Sequence, residues 1–297
     1  MKKFKFKKIN AFAKNKSDGN PVGMVYLDPS DKISEDEMLK LAFQLKGFVS
    51  EIGYIKKIND NTFDLKYYSS EREVDFCGHA TIAIMYDLIK NDNELMDKNN
   101  VNIMTKKGKL LVENRIKKED AVFITAPDPV VSSKKISPND VAQALGILKN
   151  DLNSTYPISI LNAGLETLIV PIKTLDCTLA IKPTFEVLRR FCFKNKIDIV
   201  TIFTDQVADP ENRFRTRVFA PTFGYLEDPA TGSGNSALGY YLLQNGLWEN
   251  DFLSIEQNTS RENPNIIKLM RRNNDNNMPQ ITFGGGAVVK IEGMYFL

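Results

Sequence analysis

The sequence predicts an α+β protein of two similar domains, each made of strands wrapped around one central helix. Strand-like and helix-like segments alternate along the chain with no Rossmann glycine fingerprint. Two stretches, EVDFCGHATIAIMYDLI from Glu73 and EDPATGSGNSALGYYLL from Glu227, align with Glu73 on Glu227, Gly78 on Gly232, Ala83 on Ala237, Ile84 on Leu238 and Tyr86 on Tyr240. Each is a polar turn with glycine at its apex, followed by a helix apolar nearly all round, which has no solvent face and must be enclosed. The offset is near half the chain length, so the pattern is a pseudo-two-fold internal duplication. A length of 297 residues, long for one core, agrees with two domains.

The elements run in order along the chain. KKFKFKK sets Phe4 and Phe6 against lysines, as an edge strand does. VGMVYLD reads as a buried strand and SEDEMLKLAFQLKG as an amphipathic helix, with a capping box at Ser34 and Glu37 and Gly47 as its stop. FVSEIGYIKKI, TFDLKYYSS, NIMTKKGKLLVEN and AVFITAP carry the β-branched and aromatic bias of strands. A second series runs from SPNDVAQALGI, a capped helix, through LETLIVPI, FEVLRRFCFKN, IVTIFTD and RFRTRVFAPT, and the tail ITFGGGAVVKIEGMYFL is strand again.

Composition narrows the function. Hydrophobic residues at 42% and charged residues at 26% are ordinary for a globular chain and argue against disorder or a fibre. The net charge of +2 arises from 39 basic and 37 acidic residues mixed along the sequence, which does not suit a nucleic-acid binder. No apolar h-region follows the basic start, and no run reaches the roughly 18 apolar residues of a membrane span. Cys77, Cys177 and Cys192 are an odd number at scattered spacings, as expected of free thiols in the cytoplasm. One histidine and scattered cysteines do not supply the usual ligands of a catalytic zinc site, and no metal is expected. There is no GxxxxGK[ST] loop and no GxSxG elbow. GGG at 284–286 lies in a strand pattern and reads as close packing or a bulge.

The two helix starts suggest chemistry. A helix N-terminus carries unpaired N–H groups and partial positive charge, so it attracts anions. Small residues at 78, 80, 232 and 234 let a ligand approach the backbone. The plainer reading is a pair of helix caps packed in a domain interface.

GNPVGMV, SEIGYI, DFCGHATIA, APTFGYLEDPATGSGNSALGYYL and FGGGAVVKIEG, taken together and in this order, resemble the phenazine biosynthesis PhzF-like family of the diaminopimelate epimerase fold. The resemblance runs from about residue 9 to the C-terminus. It implies domains over 1–126, completed by a returning strand at 280–297, and over 127–279, with the active site between them. It implies Glu51, in Ser50-Glu51-Ile52, as the catalytic residue, His79 beside the substrate, and Asp228, Ser233 and the backbone at Gly78 and Gly234 around the substrate and its carboxylate. It also implies a homodimer.

Each residue has a second reading. Phe48, Val49, Ile52, Tyr54 and Ile55 flank Glu51, so its carboxylate is expected to be partly buried, and burial raises a carboxyl pKa toward that of a general acid and base. A glutamate in such a run also serves as a solvated strand edge or a salt-bridge partner. Asp228 before Pro229 also suits a simple turn. Thiol racemases of this fold place one cysteine at each helix start; here the first position is Cys77 and the second is Thr231, whose hydroxyl is too weak an acid or base at pH 7. A two-thiol inversion is therefore disfavoured, and a single carboxylate returning the proton to the same face predicts isomerisation. Cys77 itself reads as a packed small residue or as a thiol activated by the helix start, the first being favoured.

The expected function is that of a cytoplasmic, cofactor-independent isomerase acting on a small carboxylate-bearing molecule, with no nucleic-acid or membrane partner. The alternatives are a thiol-dependent racemase or dehydratase using Cys77, as in the related proline racemase group, and a binding module without chemistry.

Overall fold

The computed structural model describes residues 2–297 apart from Asn15 and Asp275. The chain divides into two units, 1–124 with 284–297 and 125–283.

In the first unit β1 (Lys3–Ala11) pairs antiparallel with β2 (Asn20–Leu27). Helix α1 (Glu35–Gln44) leads to β3 (Glu51–Asn59), which runs parallel to β2 with Glu51 opposite Val22. β4 (Thr62–Tyr68) is antiparallel to β3, and the short β5 (Glu73–Val74) lies on the end of β4 and feeds α2 (Gly78–Lys90). After α3 (Asn93–Met96), β6 (Asn100–Thr105) runs parallel to β4 and β7 (Gly108–Asn114) antiparallel to β6. α4 (Ile116–Glu119) and β8 (Val122–Thr125), antiparallel to β7, come next. The C-terminal strand, Ala287–Phe296, returns antiparallel to β1 with Phe296 opposite Lys3.

The second unit repeats this order. β9 (Val130–Val131), after which α5 (Pro138–Leu145) intervenes, pairs antiparallel with β10 (Ser159–Asn162), and β10 with β11 (Glu166–Pro171). Helices α6 (Leu175–Ala180) and α7 (Phe185–Asn195) lead to β12 (Ile199–Thr204), parallel to β11. β13 (Phe214–Phe219) is antiparallel to β12, and β14 (Glu227–Asp228) on its end feeds α8 (Gly232–Gln244). β15 (Phe252–Gln257) is parallel to β13, β16 (Asn265–Asn273) antiparallel to β15, and β17 (Pro279–Gly285) closes the series. The register matches between the units as well: Ile52 faces Tyr68, which faces Glu73, as Val200 faces Phe219, which faces Glu227.

The central helices explain the architecture. In α2 every residue from Ala80 to Asp87, and Ile89, is buried; in α8 Gly232 and every residue from Gly234 to Leu242 is buried. Neither helix has a wet face, so strands must surround it. The one buried charge on α2, Asp87, is met by Lys7 Nζ at 2.8 Å. Strand β3 comes so close to α2 that a Cβ on Gly53 would lie 2.2 Å from Ile84 Cδ1. Gly284 is bare for the same reason, its missing Cβ falling 2.1 Å from the Val122 carbonyl oxygen, so close packing is the right reading of that glycine.

Local signals largely hold. Glu37 N–H donates to Ser34 Oγ and Ser34 N–H to Glu37 Oε2, forming the capping box of α1, and Ser137 and Gly146 cap α5. Two readings need correction. Helix α1 ends at Gln44 with Leu45 as its cap, and Gly47, at φ +81°, makes the next turn instead of the stop. β1 buries Phe4 and Phe6 and exposes Lys3 and Lys5 as expected, yet it is not an edge strand, because the C-terminal strand pairs on its outer side. Its alternation reports one wet face, which an interior strand of a one-sided sheet shows as well.

Ile84→Ala should destabilise the protein by about 2–5 kcal/mol, because it leaves a cavity in an enclosed core. Gly53→Ala should cost about 1–3 kcal/mol through overpacking. If the two meet as described, denaturant unfolding of the double variant should show less loss than the two single losses added together.

Candidate active site

β3 begins at Glu51, and what fixes that start is the residue before it. Ser50 N–H donates to the Pro21 carbonyl at 3.0 Å, and Ser50 Oγ donates to Asn20 Oδ1 at 3.3 Å, tying the strand entry to β2. Val49, Ile52, Tyr54 and Ile55 are buried around it, while Phe48 is exposed and lies outside the strand. Glu51 keeps 23% of its side chain accessible. The carboxylate therefore stands at the rim of an apolar strand.

The start of α2 is built from Cys77. It is the N-cap residue, in extended conformation, and its side chain makes no cap bond to the helix. Thr81 N–H and Thr81 Oγ1 both donate to the Cys77 carbonyl, and Tyr67 OH shares a 2.6 Å hydrogen bond with Thr81 Oγ1. The first turn is thus held from inside by a buried tyrosine, while its leading N–H groups, which no helix carbonyl reaches, keep their partial positive charge.

Residues 28 positions apart in sequence then meet. His79 Nε2 lies 3.0 Å from Glu51 Oε2, and Cys77 Sγ lies 3.4 Å from His79 Nδ1. The first contact has the length of a hydrogen bond but is poorly aligned, so Oε2 is buried without a bond directed at it. Burial works against a charge on the His79 ring, yet the Cys77 sulfur and the Glu51 carboxylate outweigh it and hold the imidazolium well above the usual histidine range. Burial pushes the Cys77 thiol up, while the His79 ring pulls it down less strongly. A thiol kept protonated carries no charge, so the sulfur's share of that effect belongs to its thiolate form, and the rest to the Glu51 carboxylate.

The matching start of α8 is organised differently. Thr231 Oγ1 donates to Asp228 Oδ2 at 2.5 Å. Buried Gln257 donates to the Asp228 carbonyl and accepts from Thr231 N–H and Asn235 Nδ2, at 2.7–3.0 Å, and Asn265 donates to the Pro229 carbonyl. The loop EDPATG is therefore pinned by one glutamine that sequence reading did not single out. Its signal, a Gln ending a buried strand and an Asn opening the next, is indistinguishable from ordinary strand ends. Gly234 lies against β12, where a Cβ would meet Thr201 Oγ1 at 3.0 Å and Ile199 Cδ1 at 3.3 Å. Ser233 is half-buried on the first turn.

The shared register permits a position-by-position comparison of the two starts. Cys77 corresponds to Thr231 and His79 to Ser233, both counted four and six residues on from the aligned glutamates. Glu51 corresponds to Ile199, each being the first residue of its strand. The second unit has an apolar side chain where the first has its carboxylate.

These features belong with a known group. A family model described as phenazine biosynthesis-like protein matches residues 9–293, and the chain belongs to that family. It is 28% identical to an uncharacterized isomerase of Clostridium acetobutylicum, over 97% of both chains. It is 30% identical to an uncharacterized isomerase of Bacillus subtilis, over 86% of this chain and 87% of that one. The crystal structure of a Bacillus anthracis phenazine biosynthesis protein of the PhzF family superposes with a TM-score of 0.88 at 25% identity, covering both chains completely. The fold is the diaminopimelate epimerase-like one, and the relatives place the chain among isomerases. Among the described residues no helix is long and apolar enough to cross a membrane.

His79 is the only histidine, so its NMR titration is unambiguous. Its midpoint should lie above about 6.5. In Glu51→Gln it should fall, since burial then acts with less opposition; an unmoved midpoint would mean that the carboxylate is not the cause. The folded value exceeds the unfolded one, so the pair's contribution to stability is complete below about pH 6.5 and is lost as pH rises through the folded midpoint.

Proposed function

We propose that this phenazine biosynthesis-like protein is an isomerase that moves a proton within a small carboxylate-bearing metabolite, with Glu51 as the general base and then the general acid. The observation that supports it most directly is the contact of the Glu51 carboxylate with the His79 imidazolium at the start of α2. The carboxylate takes a proton from a carbon acidified by a neighbouring carbonyl or carboxyl group, and the same carboxyl group returns it to another carbon of the delocalised anion. His79 orients Glu51 and contributes positive charge where the anion develops.

Gly78 and His79 in the first unit, and Asp228, Ser233 and Gly234 in the second, are the proposed substrate-binding residues. Helix-start N–H groups suit the carboxylate. The reaction needs no cofactor. The family resemblance adds a homodimer and a cytoplasmic location to the proposal.

Two observations favour this reading over a thiol mechanism. The second helix start carries Thr231, whose hydroxyl is occupied by Asp228, and Cys77 is 7% exposed with its thiol held protonated by burial. Ile199 in place of a second carboxylate likewise leaves one proton carrier, and one carrier works on one face.

Small unsaturated and hydroxylated carboxylic acids can be screened by NMR in heavy water for isomerisation with deuterium uptake. With a substrate in hand, Glu51→Gln should lower kcat by at least about 10²–10⁴ while the variant still unfolds cooperatively, and Cys77→Ala should retain activity. Full activity in Glu51→Gln would remove the mechanism, and loss confined to Cys77→Ala would restore the thiol alternative.

A further inference from the structure

One of the three cysteines and the single histidine meet a glutamate in the fold. Cys77, His79 and Glu51 each offer a donor atom, and these lie within 4.8 Å of one another. Cys77 Sγ is 3.9 Å from His79 Nε2, and that nitrogen is 3.0 Å from Glu51 Oε2. Around a tetrahedral zinc ion, bonds of about 2.3 Å to sulfur and 2.0–2.1 Å to nitrogen and oxygen put sulfur about 3.6 Å and oxygen about 3.3 Å from the nitrogen. The sulfur–nitrogen and oxygen–nitrogen separations are within a few tenths of an ångström of those values, and the ring, whose Nδ1 lies nearer the sulfur at 3.4 Å, must turn to aim Nε2 at an ion shared with it. Glu51 Oε2 is buried with no hydrogen bond aimed at it, so an acceptor is already desolvated there. The side chains of His79 and Glu51 remain 16% and 23% accessible, which leaves an approach from solvent.

We propose that Cys77 Sγ, His79 Nε2 and Glu51 Oε2 form a site for one thiophilic divalent cation of the zinc class, and that its occupancy shuts off proton transfer at Glu51. The ion takes a thiolate, a neutral imidazole and a carboxylate, with a fourth position open to water. Binding releases the thiol proton and the Nε2 proton to solvent and leaves the other ring proton on Nδ1. The ion's two positive charges are balanced by thiolate and carboxylate, and no electrons move. A sulfur ligand selects against magnesium and calcium, which prefer all-oxygen shells. The inhibitory half rests on the proposed role of Glu51; the binding half does not.

The test titrates chelator-treated full-length protein with Co²⁺ and Cd²⁺ and follows thiolate-to-metal charge-transfer absorption. The expected result is saturation at one ion per chain, displacement by Zn²⁺ and none by Mg²⁺. The band should vanish in Cys77→Ala, which keeps Cys177 and Cys192 as internal controls. His79→Asn and Glu51→Gln should each weaken binding at least about tenfold, more than loss of an outer-shell partner costs at the low end. Zinc should raise the thermal midpoint of the wild type and not that of Cys77→Ala, a readout that also shows whether the variant folds. Absence of a band in the wild type, or its survival in Cys77→Ala, would overturn the site. With a substrate available, zinc should inhibit and chelator should restore turnover. Binding without inhibition would count against Glu51 as the proton carrier and leave the metal site standing.

Discussion

A helix without a polar face is the constraint on which the rest depends. α2 and α8 bury nearly every side chain they carry, so each can exist only inside a wrapping of strands. Once the walls are closed, the part of such a helix that still meets anything reactive is its beginning, where leading N–H groups lack carbonyl partners. The fold thereby devotes its apolar inventory to making one end of a helix special, twice. The chemistry at each end is then decided by the few side chains set there and by the strand that starts beside it.

The duplication supplies two such ends, and their divergence carries the functional meaning. The first has sulfur, imidazole and carboxylate within touching distance; the second has a threonine, a serine and an isoleucine at the same places. The second end has put its polar groups into holding a loop, through Gln257, Asn235 and the Thr231–Asp228 contact. One copy groups titratable side chains and the other a hydrogen-bonded loop. Buried Arg215, paired with Glu256 at 2.9 Å and with the Asn258 and Ser260 carbonyls, adds to the hydrogen-bonded framework of the second unit.

Much of this was legible in the sequence because repeats and enclosure leave strong marks. The aligned glycines and tyrosines of the two helix segments are short-range patterns, and the capping box at Ser34 needs only a four-residue window. The equivalence of Glu51 with Ile199 was not legible, because it depends on strand register and not on residue likeness. The grouping of Glu51 with Cys77 and His79 was hidden for the same reason: counting cysteines and histidines along the chain says nothing about a glutamate delivered by a neighbouring strand. β1 looked like an edge because its missing neighbour comes from the far end of the chain, beyond any local window.

That late neighbour sets an order of events. β1 is made before the second unit, yet one of its two partners, Ala287–Phe296, is made only after it. Completion of the first unit therefore waits on a strand made after the second unit, against the usual vectorial order. The second unit can complete its core while the first waits with a long unpaired flank of Lys3–Ala11 exposed. The alternating lysines along that flank, Lys3, Lys5 and Lys7, are a deterrent to mispairing during the interval. Nascent-chain lifetime thus enters the design of a strand that, in the finished protein, is nowhere near an edge.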